Sequence, residues 1–235
     1  MPTKTNIAAA TEEIEGKHKV GRPRQGTEGE RLEALLDAAT AVFLRQGYGL
    51  ASMGQIAQAA GVSTRTIYER FTNKGDLLVA VIRRLMGREL GQMIESGTYD
   101  DEDPEVALTA FGLALIERAT STDAIGLFRM GVADSERFPD PNLARQIYEA
   151  GPWQTQRAIA SYLITQCSRG KLTLEDPLKA ASLFIHLISS EPREQALFKC
   201  FPDESVWNPQ DHVKNVVRLF LRGTLPRAAI MTKEH

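Results

Sequence analysis

Five of the eleven prolines in this 235-residue chain stand where a helix is expected to begin. Between Arg24 and Asp103 there is none, so nothing in that stretch forbids a helix of any length. Beyond it, five prolines each follow a residue suited to cap a helix: Asp103-Pro104, Asp140-Pro141, Gly151-Pro152, Asp176-Pro177 and Asn208-Pro209. At the first helical position the missing proline N–H removes a bond that the helix would not make anyway. Asp, Asn or Gly suits the cap before it. An apolar period near 3.6 follows each pair, and no alternating strand pattern bounded by hairpin turns is present. The pattern predicts an all-α chain. Helices are expected at about 29–46, 53–60, 64–70, 74–97, 104–119, 122–137, 141–150, 152–169, 177–190, 192–200 and 209–223.

The chain divides by charge. Residues 17–84 hold 11 Lys and Arg against 6 Asp and Glu, a balance of +5, whereas residues 85–235 hold 16 against 21, a balance of −5. A basic first third on an acidic remainder suggests a polyanion-binding module joined to a domain with another task. No apolar run approaches the roughly 20 residues needed to span a bilayer, and Met1 to Ala10 have no signal-peptide core. Cys167 and Cys200 lie in apolar helical segments and read as reduced, buried thiols. A cytoplasmic protein is expected, with no membrane association.

Residues 1–27, with Gly16, Gly21, Pro23 and Gly26 and no sustained apolar period, read as a flexible basic arm. Residues 28–85 form the most informative segment. Leu32, Leu35, Leu36, Ala39 and Phe43 make one stripe of a first helix, which Gly47 ends. Ser52 caps a short helix, Met53 to Ala60, with Ile56, Ala57 and Ala60 inward. Gly61-Val62 turns the chain, Ser63 caps again, and the helix from Thr64 to Arg70 presents Thr64, Arg65, Thr66 and Tyr68 outward. Two short helices joined by a glycine-containing turn have the form of a helix-turn-helix, whose second helix enters the major groove of DNA. Asn73 starts the next helix, with Asp76 placed to complete the cap and Lys74 expected to point toward the same DNA strand.

The run from Ala57 to Leu78, with its Gly61-Val62-Ser63 turn, Tyr68, Phe71, Lys74 and Asp76-Leu77-Leu78, closely resembles the DNA-binding domain of the TetR/AcrR family of transcriptional regulators. Phe128 to Phe198 resembles the C-terminal domain of the AefR-like branch more loosely. The residues that carry this second likeness are Arg137-Phe138-Pro139 and Tyr148-Glu149-Ala150-Gly151-Pro152. The resemblance implies an N-terminal three-helix DNA-binding domain, residues 28–85, on a C-terminal helical bundle, residues 86–235, for dimerisation and ligand binding. It implies phosphate contacts from Tyr68, Lys74 and the Ser52 cap, and base-edge contacts from Thr64, Arg65 and Thr66. Many members carry glycine where this chain has Arg65, whose guanidinium can grip guanine bidentately. Met53 and Ser63 complete the candidate set on the helices.

From the arm come Arg22 and Arg24. Lys17-His18-Lys19-Val20-Gly21-Arg22-Pro23-Arg24 resembles an AT-hook core, suited either to a narrow minor groove or to nonspecific contact. Arg70 is either a further contact or a solvated charge.

For the second domain the residues leave alternatives open. Stripes on 177–190 (Leu178, Ala181, Ile185, Ile188) and 209–223 (Val216, Leu219, Phe220) are either the homodimer face or interior core. Phe111, Phe128, Met130, Tyr148 and Trp153 either line a cavity for a small apolar or aromatic effector or pack as core. His186 reads as a hydrogen-bonded core residue. The four histidines and two cysteines show no metal-ligand spacing, and neither a phosphate loop nor a nucleophile elbow is present. No enzyme, cofactor or metal is expected. The expected function is a homodimeric repressor on a palindromic operator, released by an effector. The alternative is an architectural DNA binder whose C-terminal domain only dimerises.

Overall fold

The prolines of all five pairs stand at the first position of a helix. A computed structural model describes residues 27–87, 89–99, 102–137, 141–200 and 207–224, and every regular element among them is helical. In order these are α1 (Glu28–Leu50), α2 (Met53–Ala60), α3 (Thr64–Tyr68), α4 (Lys74–Gly87), α5 (Glu89–Glu95), α6 (Pro104–Thr120) and α7 (Thr122–Asp134). A single 3-10 turn, Ser135–Arg137, precedes α8 (Pro141–Ala150), α9 (Pro152–Ser168), α10 (Pro177–Phe198) and α11 (Pro209–Arg222). Side-chain oxygens hold three of the proline starts. Asp103 accepts from the Glu105 N–H at 2.8 Å, Asp176 from Lys179 at 2.9 Å and Asn208 from Gln210 at 2.8 Å.

Within the helix expected over 74–97, residues 74–87 and 89–95 are helical, and the Met86 carbonyl accepts from Arg118 of α6 at 2.6 Å. One expected boundary is corrected. The helices expected at 177–190 and 192–200 are one, with Pro192 buried inside α10. Proline cannot donate to the carbonyl four residues before it, here Ile188. The His212 Nε2 of α11 lies 3.0 Å from that oxygen and supplies the missing donor, so the helix continues through the proline.

The core forms in two parts. One joins α1 to α4 through Leu36, Phe43, Ile56, Ile67, Leu77 and Val81, and it takes in Leu127 and Met130 of α7 and Leu143 of α8. Thus α7 packs along α1 and α8 along α4, clasping the N-terminal helices from the far side. The other part lies among α6, α9, α10 and α11, around Phe111, Tyr162, Phe184 and Val217. The cysteine expectation is also corrected: Cys167 is half-buried, but Cys200 is exposed just past the end of α10, where the chain leaves the packed helix. Burial pushes the Cys167 thiol up from its ordinary value.

Candidate nucleic-acid interface and the cavity behind it

Local bonds fix α2 and α3 almost completely. Ser52 and Gln55 form a reciprocal cap: the Ser52 N–H donates to Gln55 Oε1 at 2.9 Å and the Gln55 N–H to Ser52 Oγ at 3.2 Å. At the other end of α2, Gly61 takes the left-handed conformation (φ 66°, ψ 29°), favoured by a residue without Cβ. The Val62 N–H then donates back to the Ala57 carbonyl at 3.0 Å, closing the turn. Ser63 caps α3 by accepting from the Thr66 N–H at 3.1 Å. Ile67 is fully buried and anchors the short helix to the first core.

With Ile67 inward, the expected recognition residues face out. Ser52, Ser63, Thr64, Arg65, Thr66 and Tyr68 are all exposed, Tyr68 by 54% despite its ring. Arg65 meets Glu69 at 3.1 Å, but its side chain is 87% exposed, so this one-turn ion pair leaves the guanidinium accessible. Arg70 bonds Glu28 at 2.7 Å and ties the end of α3 to the start of α1. Around its buried Ile67, this five-residue helix therefore offers hydroxyls, a guanidinium and a phenol to solvent, a set suited to phosphate oxygens and base edges.

Two expected members of this surface belong elsewhere. Met53 is buried, 7% exposed, because the first turn of α2 leans on the core. Lys74 turns inward. Its Nζ donates to the carbonyls of Tyr48 at 2.5 Å, Gly49 at 3.3 Å and Ala51 at 2.7 Å, and sits 4.4 Å above the Tyr48 ring. Those carbonyls lie where α1 ends and need donors, so the ammonium closes that corner rather than reaching outward. Burial pushes its pKa down, and the charge of Asp134 opposes that shift. Arg22 and Arg24 lie outside the described residues. Gln55 was missed, although Ser52-Met53-Gly54-Gln55 spells a capping box.

Behind this head lies an apolar cavity of about 410 Å³. Ile82, Leu85 and Met86 of α4, Phe128 and Met130 of α7, and Ile147 and Tyr148 of α8 line it, and among the described residues no ionisable side chain other than the Tyr148 phenol does. It brings together three of the five expected effector contacts, Phe128, Met130 and Tyr148. Phe111 does not join them. It is fully buried in the second core, edge-on to Tyr99 at 5.4 Å and to Tyr162 at 5.0 Å. Trp153, half-buried on α9, is not part of this lining either.

The expected dimer stripes are mostly core. Ala181, Ile188 and Phe220 are buried within the protomer, and Leu178, Ile185 and Val216 pack partly against the same core. Exposed apolar residues on these helices include Leu183 (56%) and Leu187 (44%) on α10, with Leu219 (62%) on α11. His186, expected in the core, is exposed beside them and bonds the Ser182 carbonyl of its own helix.

Two sequence profiles match the chain. One, described as bacterial regulatory proteins of the tetR family, covers residues 35–81 and so contains α2 and α3. The other, the C-terminal domain of AefR-like transcriptional repressors, covers residues 106–223, half of the chain. The chain belongs to the TetR family. Its relatives include the HTH-type transcriptional activator FasR of Mycolicibacterium smegmatis, 37% identical over 83 residues, 34% of this chain and 38% of FasR. They also include the repressor ComR of Escherichia coli K12, 26% identical over 141 residues, 60% of this chain and 67% of ComR. The match therefore spans from about a third to two thirds of these relatives' length. The crystal structure of a TetR-family regulator from Mesorhizobium loti superposes with a TM-score of 0.70 at 28% identity, covering 86% of this chain and all of that one. This TetR-family chain is a DNA-binding transcriptional regulator with a helix-turn-helix. Among its described residues no helix is long and apolar enough to cross a membrane.

Proposed function

We propose that this regulator is a homodimeric repressor that seats α3 of each protomer in the major groove of a palindromic operator and lets go when an uncharged, apolar or aromatic effector fills the cavity between α4, α7 and α8. The observation that carries the reading is the division of α3: Ile67 buried, and Thr64, Arg65, Thr66 and Tyr68 exposed around it. Within that division Thr64, Arg65 and Thr66 read base edges, while Tyr68 and Ser52 contact phosphate. A two-fold dimer carries two such rows, and they meet successive major grooves when about 34–36 Å apart. Leu183, Leu187 and Leu219 supply the apolar surface for the second copy. The described lining of the cavity carries no charge, which favours an effector without charge, because a buried unpaired ion costs several kcal/mol.

The test is titration of a fluorescent duplex, selected from a random pool by the native protein, against a scrambled duplex. Arg65→Ala is expected to reduce the preference for the selected sequence by about 1–3 kcal/mol, the worth of a bidentate base contact. Equal losses on both duplexes would remove the base-reading role. Release of the selected duplex by apolar or aromatic compounds supports repression lifted by an effector. A broad compound screen without release favours an architectural binder instead.

A further inference from the structure

We propose that Asp134 is the positioning residue through which the cavity acts on the DNA-binding head. The inference rests on reading that cavity as the effector site, and concerns how its occupancy reaches α2 and α3. Helix α7 has two occupations. Its Leu127, Phe128, Met130 and Gly131 line the cavity, while its other side packs along α1. The last residue of α7, Asp134, is 8% exposed and reaches across to the head, where its Oδ2 accepts the Tyr48 N–H at 2.8 Å. A buried carboxylate is costly unless its oxygens are satisfied, and an apolar residue would pack there without that cost. The carboxylate is explained by what it holds.

It holds the one place in α1 where the backbone leaves helical geometry. Gly47 has φ 76° and ψ 169°, and a Cβ at this position would stand 3.0 Å from Asp134 Oδ2. Glycine thus gives the chain its bend and the carboxylate its way in. The corner from Gly47 to Ala51 leads directly into the Ser52 cap, so the orientation of α2 and α3 depends on it. Lys74, at the start of α4, grips the same corner by the carbonyls of Tyr48, Gly49 and Ala51. One corner is therefore held by a carboxylate from α7 on its donor side and by an ammonium from α4 on its acceptor side. Those two helices are also two walls of the cavity. A molecule that spreads the walls pulls the two grips apart, and the corner that carries the recognition helix moves with them. Differential grip of this kind is what an effector needs to shift a population of head orientations.

A side chain grown into the cavity tests this without knowledge of the effector. Gly131 lines the cavity, and a Cβ there meets nothing within 4 Å, so Gly131→Leu fills the space from within. The four proteins are native, Gly131→Leu, Asp134→Ala and the double variant, each titrated with the selected duplex below its melting temperature. Gly131→Leu is expected to weaken the native protein by a factor in the range of about 5–150, the usual size of such coupling. In the Asp134→Ala background the same change is expected to cost less than about twofold, most of the coupling having gone. Hydrogen exchange over residues 47–51 should quicken in Gly131→Leu while exchange in the α1 core stays as in the native protein. Should Asp134→Ala melt below the assay temperature, Asp134→Leu, which also lacks an acceptor for the Tyr48 N–H, takes its place under the same criterion. An equal loss in both backgrounds overturns the role of Asp134 and leaves the cavity reading standing. No loss in the native background removes the cavity reading and this inference with it.

Discussion

Helices α3 and α10 both present a row of exposed side chains, but they do so by opposite means. On α3 one apolar residue, Ile67, is buried and the outward row is polar, so each member meets water at little cost while DNA is absent. On α10, Ala181, Phe184 and Ile188 face the core, yet Leu183 and Leu187 stand on the outer side without cover in the single chain. The difference is one of partner chemistry. A polyanion is met by hydrogen-bond donors that tolerate solvent, and a second protein by apolar area that does not. On the proposed reading, DNA and a second copy are thereby met on surfaces that different substitutions reach.

That contrast is broken most strongly from the α10 side. Leu183→Glu together with Leu187→Glu places two carboxylates in the apolar row and is expected to give monomers by light scattering. Two linked half-site contacts exceed one by about 10²–10⁴, so affinity for the selected duplex should fall on that scale although α3 is untouched. A variant pair that remains dimeric would move the self-association face elsewhere.

Lys74→Met sharpens the comparison within the head. The ammonium serves three carbonyls at the end of α1, and hydrogen bonds of charged donors contribute about 1.5–3 kcal/mol. Half-burial reduces this, so a loss of about 2 kcal/mol is expected in urea unfolding. The dependence of log affinity on log salt should stay as in the native protein. A residue that neutralises a phosphate behaves oppositely, lowering the slope by about one unit and leaving the urea midpoint in place.

Lys74 also marks the limit of what was legible in the sequence. The caps at Ser52, Ser63, Asp103 and Asn208, the turn at Gly61 and the outward row of α3 all depend on residues a few positions apart, and they were readable. On α10 nearly every side is apolar, from Leu178 and Ala181 through Leu183, Phe184, Ile185, Leu187 and Ile188, so period alone could not choose the buried face. Phe111 and Phe128 look alike in sequence, and only the packing of distant helices buries one and opens the other. The His212 bond that rescues Pro192 and the Asp134 bond to Tyr48 join positions 24 and 86 residues apart, with no local pattern to announce them. Family likeness pointed to the helix-turn-helix, but not to these bonds.

The smallest expected effect lies on α3 itself. Arg65 and Glu69 form a one-turn ion pair, both side chains largely exposed, and such pairs contribute about 0.3–0.5 kcal/mol to stability. Glu69→Gln should therefore shift the melting temperature very little. Its effect on DNA has the other sign: the carboxylate competes with the operator for the Arg65 guanidinium and repels nearby phosphates. Removing it is expected to tighten binding about twofold in dilute salt, the equivalent of about 0.4 kcal/mol, with the gain fading as salt screens exposed charges. A weakening instead would mean that Glu69 holds Arg65 in its reading position, and α3 would then owe its accuracy to an ion pair as well as to the anchor at Ile67.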